Sequence, residues 1–231
     1  MPANDGGGTF ARQPIHAMLA TKVIATGVTH LTDARYFAAW EVQLLAFPLG
    51  PGGVDWTTLN AMREWITGPE IAVELSSGAD AGAVLEGMVE HGLTSVVIPN
   101  SAPAAAQKTF LDGDRKVYAH LPVAGYHSTE DVREALEELT EATGIILDFE
   151  DGGITWQDLA EGSPFTLDDL RELLKAYPIY LQIALADTDP KGIVTDFSSR
   201  GFAVRGSSEE KVGYKSFDDI DPLFEGLEIF E

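Results

Sequence analysis

The chain has 231 residues, of which 45% are hydrophobic, and this length is sufficient for one large α/β core. Asp and Glu outnumber Lys and Arg by 37 to 15, and the resulting net charge of −22 argues against nucleic acid or an anionic membrane surface as a partner. The absence of cysteine excludes disulfides, thiolate metal ligands and a cysteine nucleophile or base.

The acidic excess has two interpretations. It is typical of a surface adapted to molar salt, where a Debye length of about 3 Å screens self-repulsion, and it also serves ordinary solubility. A melting curve against KCl distinguishes them. The sequence has no apolar run of about 18 residues, and its first residues lack the apolar core of a signal peptide, so we expect a cytoplasmic protein.

In chain order, residues 1–20 contain DGGG and no apolar period, which predicts a flexible tail followed by a single domain over residues 21–231. Short β-branched runs then alternate with segments whose apolar residues lie three and four apart. The predicted strands are Lys22–Thr26, Val42–Phe47, Ile71–Leu75, Ser95–Ile98, Val117–Leu121, Gly144–Asp148, Ile179–Ala184 and Phe202–Arg205. The predicted helices are Thr32–Trp40, Trp56–Ile66, Asp80–His91, Ser128–Thr143, Thr166–Ala176 and Pro190–Ser198, with a weaker segment around Ala104–Leu111.

Two helices have clear start signals. Ser128 and Thr166 each stand before carboxylates, so a hydroxyl cap and first-turn acids satisfy free N–H groups and complement the helix dipole. Eight strands alternating with helices predict a parallel sheet, and closure into a (β/α)8 TIM barrel leaves no edge. An open doubly wound sheet is the alternative, but no Gly-x-Gly-x-x-Gly follows the first strand, and no cofactor is predicted.

In such a barrel the functional groups lie where strands end. Thr26, His120 and Asp148 occupy such ends. His120 suits either an acid–base role or a place in the pocket wall, and Asp148 suits either a site or a loop contact beside Glu150 and Asp151. These carboxylates match no recognised metal loop, so no metal site is predicted.

The last strand end, Arg205-Gly206-Ser207-Ser208, combines a cation with a Gly-Ser-Ser turn in a chain with only 15 basic residues. Backbone N–H groups, hydroxyls and a guanidinium predict binding of a small anionic or phosphorylated molecule. The alternative is a capped turn in which Arg205 pairs with an acid.

Three segments together resemble phosphoribosylanthranilate isomerases. VIATGVTHLTDARYFAAWEVQLLAF (Val23–Phe47) is similar to that family's first strand, Asp-Ala helix and second strand. GIILDFEDGG (Gly144–Gly153) resembles its sixth strand, and GFAVRGSSEEKVGYKSFDDI (Gly201–Ile220) resembles its last strand and phosphate loop. The resemblance implies a (β/α)8 barrel, an Amadori-type aldose-to-ketose isomerisation in tryptophan biosynthesis, and a homodimer by analogy.

The same resemblance implies which residues carry the chemistry. The family's general acid corresponds to Asp148, and its cysteine general base corresponds to Thr26. A threonine hydroxyl is far too weakly acidic to replace a thiol near neutral pH. Other family positions also differ, with Ile24 in place of a lysine and Ala203 in place of an aspartate.

Three hypotheses follow. The first is an isomerase-like barrel that has lost the original base–acid pair and binds a small anionic ligand at its mouth. The second is a non-catalytic structural or partner-binding barrel. The third is an active isomerase in which Asp148 is the acid and His120 or Glu150 the base.

Overall fold

A computed structural model describes residues 18–206 and 216–229, and the structural statements below concern these residues. A two-residue strand, β1 (Met18–Leu19), precedes eight parallel strands that form a closed barrel. The barrel strands are β2 (Lys22–Thr26), β3 (Leu44–Leu49), β4 (Glu70–Leu75), β5 (Ser95–Pro99), β6 (Lys116–Pro122), β7 (Gly144–Asp148), β8 (Ile179–Gln182) and β9 (Gly201–Arg205). Pairing of β9 with β2 closes the barrel, so the predicted (β/α)8 architecture is confirmed.

The helices lie between the strands in the order expected for this fold. They are α1 (Leu31–Ala39), α2 (Trp56–Arg63), α3 (Ala81–Glu90), α4 (Ala104–Leu111), α5 (Thr129–Glu137), α6 (Trp156–Ala160), α7 (Leu167–Ala176), α8 (Pro190–Phe197) and α9 (Asp221–Leu227). The short helices α6 and α9 have no counterpart among the predicted segments. Within the described ranges, no helix is long and apolar enough to cross a membrane.

Local side-chain bonds explain where several helices begin. The hydroxyl oxygens of Ser128 and Thr166 each accept a hydrogen bond from the backbone N–H of the third residue of their helix. The carboxylate of that third residue accepts one from the backbone N–H of the cap. Both predicted capping boxes are thus confirmed. Thr155 forms a third such box at the start of α6. Each box satisfies backbone donors that the first turn leaves without a helical partner.

Most of the predicted strands differ from the observed ones by one or two residues at one or both ends, and at two places the predicted strand extends beyond the observed one for a local reason. The second predicted strand begins at Val42, but the chain leaves α1 through Glu41 at φ 53°, and Val42 N donates to Phe37 O within that turn. The seventh predicted strand continues to Ala184, but Ala184 forms an isolated bridge with Thr155 outside the barrel sheet. The observed strand β3 therefore begins at Leu44, and the observed strand β8 ends at Gln182.

The ends of the described chain meet in a short antiparallel ribbon. Met18 pairs with Ile229 and Leu19 with Glu228, so β1 and β10 (Glu228–Ile229) form a two-stranded sheet outside the barrel. Residues 1–17 of the predicted tail lie outside the described part of the chain. The tail and domain limits remain predictions.

The barrel interior is filled by alternate residues of the strands. Side chains in a strand point to opposite faces in turn, and one face packs into a cluster of nine buried residues inside the barrel. This cluster consists of Ile24, Leu44, Ala46, Ala72, Val97, Tyr118, Ile146, Tyr180 and Ala203. The other face packs against the helices in the larger core, which includes Val23, Ala25 and Phe47.

Candidate functional site

The mouth of the barrel is defined by one residue from each strand. Each of these residues lies two positions beyond an interior residue of the same strand, and the period of two therefore turns it inward. They are Thr26, Pro48, Glu74, Pro99, His120, Asp148, Gln182 and Arg205. All except Thr26 line a cleft of about 920 Å³, which is large enough for a small-molecule ligand.

Asp148 is the most connected side chain of this cleft. It is 2% exposed, and its Oδ2 lies 2.8 Å from His120 Nε2 and accepts from Gln182 Nε2 at 3.0 Å. Its Oδ1 accepts from the backbone N–H of Asp151 at 3.1 Å. Burial of a carboxylate is tolerated when donors surround it in this way, so Asp148 holds the side chains around it in position.

The structure brings His120 and Asp148 together as a hydrogen-bonded pair. His120 lies at the cleft surface with 18% of its side chain exposed, while Asp148 is buried behind it. A carboxylate that accepts from one ring nitrogen orients the imidazole and fixes its tautomer. This arrangement is suited to proton transfer with a molecule in the cleft.

Glu150 contributes a second carboxyl group beside this pair. Partial burial and the nearby charge of Asp148 raise its pKa, and a weak bond from Gln182 Nε2 at 3.5 Å acts in the opposite direction. Glu150 remains solvent-exposed, so solvent screens much of this effect. It lines the cleft together with Asp151.

The side-chain NH₂ group of Gln182 bonds to two carboxylates, whereas its side-chain oxygen makes no hydrogen bond within the described residues. Both bonds from its Nε2 go to carboxylate oxygens, those of Asp148 and Glu150. The residue is 2% exposed, and its Oε1 has no hydrogen-bond partner among the residues that the structure describes. A buried acceptor without a partner keeps the cost of its desolvation.

Arg205 lies on β9, the strand next to β8, and is paired with an acid of β4. Its Nη2 is 3.4 Å from Glu74 Oε1, and Glu74 Oε2 also accepts from the backbone N–H of Gly27 at 2.7 Å. The Arg205 side chain nevertheless remains 49% exposed and lines the cleft. Its guanidinium is thus held by a long ion pair and retains donors for an anion.

Gly206 follows Arg205 at a close approach of the chain. Its N–H donates to Thr26 O at 2.8 Å, and an added Cβ would lie 2.9 Å from both Gly27 O and Asp33 Oδ2. The backbone therefore requires glycine here. Ser207 and Ser208, the other predicted members of this anion site, lie outside the described residues.

Thr26 is separated from the cleft. Its side chain is 1% exposed, and its Oγ1 donates to the backbone O of Val204 at 3.4 Å. It is the only mouth residue among those named above that does not line the cleft. A hydroxyl in this position neither ionises near neutral pH nor reaches a ligand.

No set of three His, Asp or Glu side chains in the described ranges is arranged to hold a metal ion. His127, in the loop between β6 and α5, accepts from Ala124 N at 3.0 Å through its Nδ1. It therefore belongs to the turn before α5.

Sequence reasoning missed Glu74 and Gln182. The inward period of β4 could have indicated Glu74, because Ala72 and Glu74 occupy the same face of that strand. The sequence does not indicate Gln182 as a mouth residue, because the predicted strand ends two residues after the observed strand β8, at Ala184. An accurate strand end would have placed the amide at the mouth.

No protein-family model matches the sequence, and no curated protein sequence matches it. Solved structures do resemble it. Phosphoribosyl anthranilate isomerase from Thermotoga maritima matches with a TM-score of 0.67 and 15% identity, over 90% of this chain and 98% of that one. The enzyme from Thermus thermophilus matches with a TM-score of 0.62 and 20% identity, over the same shares.

The chain has the fold of the phosphoribosylanthranilate isomerases. The 3-keto-L-gulonate-6-phosphate decarboxylase of Vibrio cholerae is also similar, with a TM-score of 0.51 and 16% identity over 81% of this chain and 89% of that chain. Because all these identities are low, the likeness establishes the barrel and leaves the chemistry to be argued from the site.

Proposed function

We propose that this protein is a phosphoribosylanthranilate isomerase-like barrel that no longer performs the isomerase reaction. Its mouth binds a small anionic or phosphorylated molecule and offers the His120–Asp148 pair for proton transfer. The observation that carries the proposal is the contrast between two positions. Thr26, at the place of the family's base, is buried and bonded to a carbonyl, whereas His120 bonded to Asp148 faces the cleft.

The proposed loss of the isomerase reaction follows from the weak acidity of the threonine hydroxyl. Proton abstraction from a sugar carbon needs a positioned base, and the loss of one typically costs about 10²–10⁴-fold in rate. The Thr26 hydroxyl stays protonated at neutral pH. Asp148, which the resemblance makes the general acid, accepts three hydrogen bonds in the structure. Both carboxylate oxygens of Asp148 are therefore already bonded within the protein.

The anionic ligand is supported by Arg205. Among the described residues that line the cleft, Arg205 is the only one with a fixed positive charge. Its ion pair with Glu74 is long, at 3.4 Å, and half of the side chain is exposed. A phosphate can therefore replace or share the carboxylate as the partner of the guanidinium.

Thermal denaturation in the presence of inorganic phosphate and ribose 5-phosphate tests this proposal. A ligand at 100 times its dissociation constant stabilises the folded state by about 2.7 kcal/mol. Arg205→Ala should abolish the shift and leave the unliganded melting temperature nearly unchanged. Arg133→Ala, which removes an exposed ion pair with Glu130 on α5, is the matched control and should keep the shift. An equal shift in Arg205→Ala would refute the role of Arg205.

One observation favours a second candidate, a non-catalytic barrel. The N–H groups of Gly27 and Gly206, which follow strands at the mouth, are both used within the protein, by Glu74 and by Thr26 O. They are thus occupied and do not serve as phosphate donors. Indifference of the melting temperature to every phosphorylated sugar tested would favour this candidate over the first.

A further inference from the structure

The Glu74 side chain bridges strands that are not its neighbours in the sheet. Glu74 lies near the end of β4 and is paired with Pro48 of β3, yet both of its carboxylate oxygens bond beyond β3. Its Oε2 accepts from the backbone N–H of Gly27, which follows β2, at 2.7 Å. Its Oε1 lies 3.4 Å from Nη2 of Arg205 on β9. One carboxylate therefore links the ends of three barrel strands.

The two donors that hold this carboxylate form a position for an anion. Gly27 has φ +63°, and a Cβ there would lie 3.0 Å from Arg205 Cγ and 3.2 Å from Arg205 Nε, so the arginine side chain lies directly beside this glycine. The Gly27 N–H and the Arg205 guanidinium thus converge on the same carboxylate. A backbone N–H beside a guanidinium binds the oxygens of carboxylates, sulfates and phosphates alike.

The Glu74 carboxylate depends on these two donors. Its side chain is only 13% exposed, whereas that of Arg205 is 49% exposed, and both residues line the cleft together with Gly27. A carboxylate that is largely withdrawn from water needs donors within the protein to compensate its charge. An anion that takes these donors leaves the Glu74 charge beside its own, and the two negative charges repel each other.

We propose that Glu74 is the resident ligand of the Gly27–Arg205 position and excludes free inorganic anions from it. An inorganic anion gains there only the two contacts that Glu74 already makes. A carboxylate attached to the same chain competes at a high effective concentration, which an anion in solution must overcome. A ligand displaces it only by making further contacts in the cleft, so Glu74 is a specificity-determining residue. This role rests on the proposed binding of an anionic ligand.

Binding of sulfate tests this role, because sulfate is fully ionised near neutral pH and offers nothing but oxygens to the cleft. NMR titration of the full chain at constant ionic strength measures the affinity, and the amide signal of Gly27 reports on the donor itself. We expect Glu74→Gln to bind sulfate at least about 10-fold more tightly than the unmodified chain does. The reason is that a hydrogen bond to a charged group corresponds to roughly 10- to 100-fold in a binding constant.

Two further variants separate occupancy from net charge. Glu70→Gln removes one negative charge at the other end of β4, where Glu70 pairs with Lys116 at 2.8 Å. Its sulfate affinity should stay within about threefold of that of the unmodified chain, because solvent and salt screen distant charges. Glu74→Asp keeps the charge but is one methylene shorter, so its carboxylate no longer reaches both donors. Its sulfate affinity should rise by at least about threefold, and it decides the question if Glu74→Gln does not fold.

Each outcome supports or overturns the resident-ligand role. Sulfate binding by Glu74→Gln but not by the unmodified chain would support it. Equal affinity in these two chains, an equal increase in Glu70→Gln, or no binding to any variant would overturn it. An increase in Glu74→Gln without one in Glu74→Asp would assign the effect to charge repulsion and overturn it as well. The proposed function is decided separately, by the ribose 5-phosphate shift and its loss in Arg205→Ala.

Discussion

Replacing Asp148 by asparagine changes the cleft with almost no change in volume. An asparagine has one acceptor oxygen and one NH₂ group, whereas Asp148 accepts from His120 and Gln182 on one oxygen and from Asp151 N on the other. The favourable orientation keeps the oxygen toward His120 and Gln182. The N–H of Asp151 then faces the new NH₂ group and loses its partner.

The expected cost can be worked out bond by bond. Hydrogen bonds to a charged group contribute about 1.5–3 kcal/mol and neutral ones about 0.5–1.5 kcal/mol, so two bonds weaken by about 1 kcal/mol each and the third is lost. Relief of a buried charge offsets part of this. We expect Asp148→Asn to lower the free energy of unfolding by about 2 kcal/mol, which in a chain of this size lowers Tm by about 4–8 °C.

Guanidinium denaturation at neutral pH measures this change. Asp187→Asn, the same substitution at an exposed loop position, is the control and should change stability by less than about 0.5 kcal/mol. If Asp148→Asn is as stable as this control, Asp148 does not hold its neighbours in place and the organisation of the cleft described here is wrong.

Two further predictions concern helix and mouth geometry. Thr166→Ala removes a cap and should cost about 1 kcal/mol at pH 7. Hydrogen bonds from the Thr166 side chain and backbone lower the pKa of Asp169, so the stability they contribute is present above about pH 4 and is lost on further acidification. The difference in the free energy of unfolding between the variant and the unmodified chain, measured by guanidinium denaturation, should therefore narrow by about pH 3. A difference that stays constant with pH would contradict this. Gly27→Ala (φ +63°) should cost about 1–2 kcal/mol and weaken phosphate binding, since its Cβ would lie 3.0 Å from Arg205 Cγ. Gly92→Ala (φ +66°), with open space around it, should cost the same stability without affecting binding, and equal binding by both variants would contradict the contact with Arg205.

The fold could be predicted because each step depends on local sequence. Short β-branched apolar runs located all eight barrel strands, and hydroxyls before carboxylates located the starts of α5 and α7. The terminal ribbon could not be predicted, because Met18 and Ile229 pair across almost the whole chain through two-residue strands. Such strands are too short to carry a period.

The site was predicted only in part for a related reason. The end of a strand indicates Asp148 from sequence, but the partners of Asp148 depend on barrel register. His120 reaches it because β6 and β7 are neighbours, with Pro122 opposite Asp148. Gln182 reaches it because β8 pairs Gln182 directly with Asp148. A single sequence does not reveal these pairings.

The central claim is that the fold has been kept without the isomerase chemistry. The most direct test is turnover of N-(5′-phosphoribosyl)anthranilate by the purified full chain, together with growth of a tryptophan auxotroph that lacks the isomerase. Because Thr26 is buried and is not a base, we predict no product above the uncatalysed rate and no growth at high expression. Robust turnover would contradict the claim and would favour an active isomerase with His120 or Glu150 as its base.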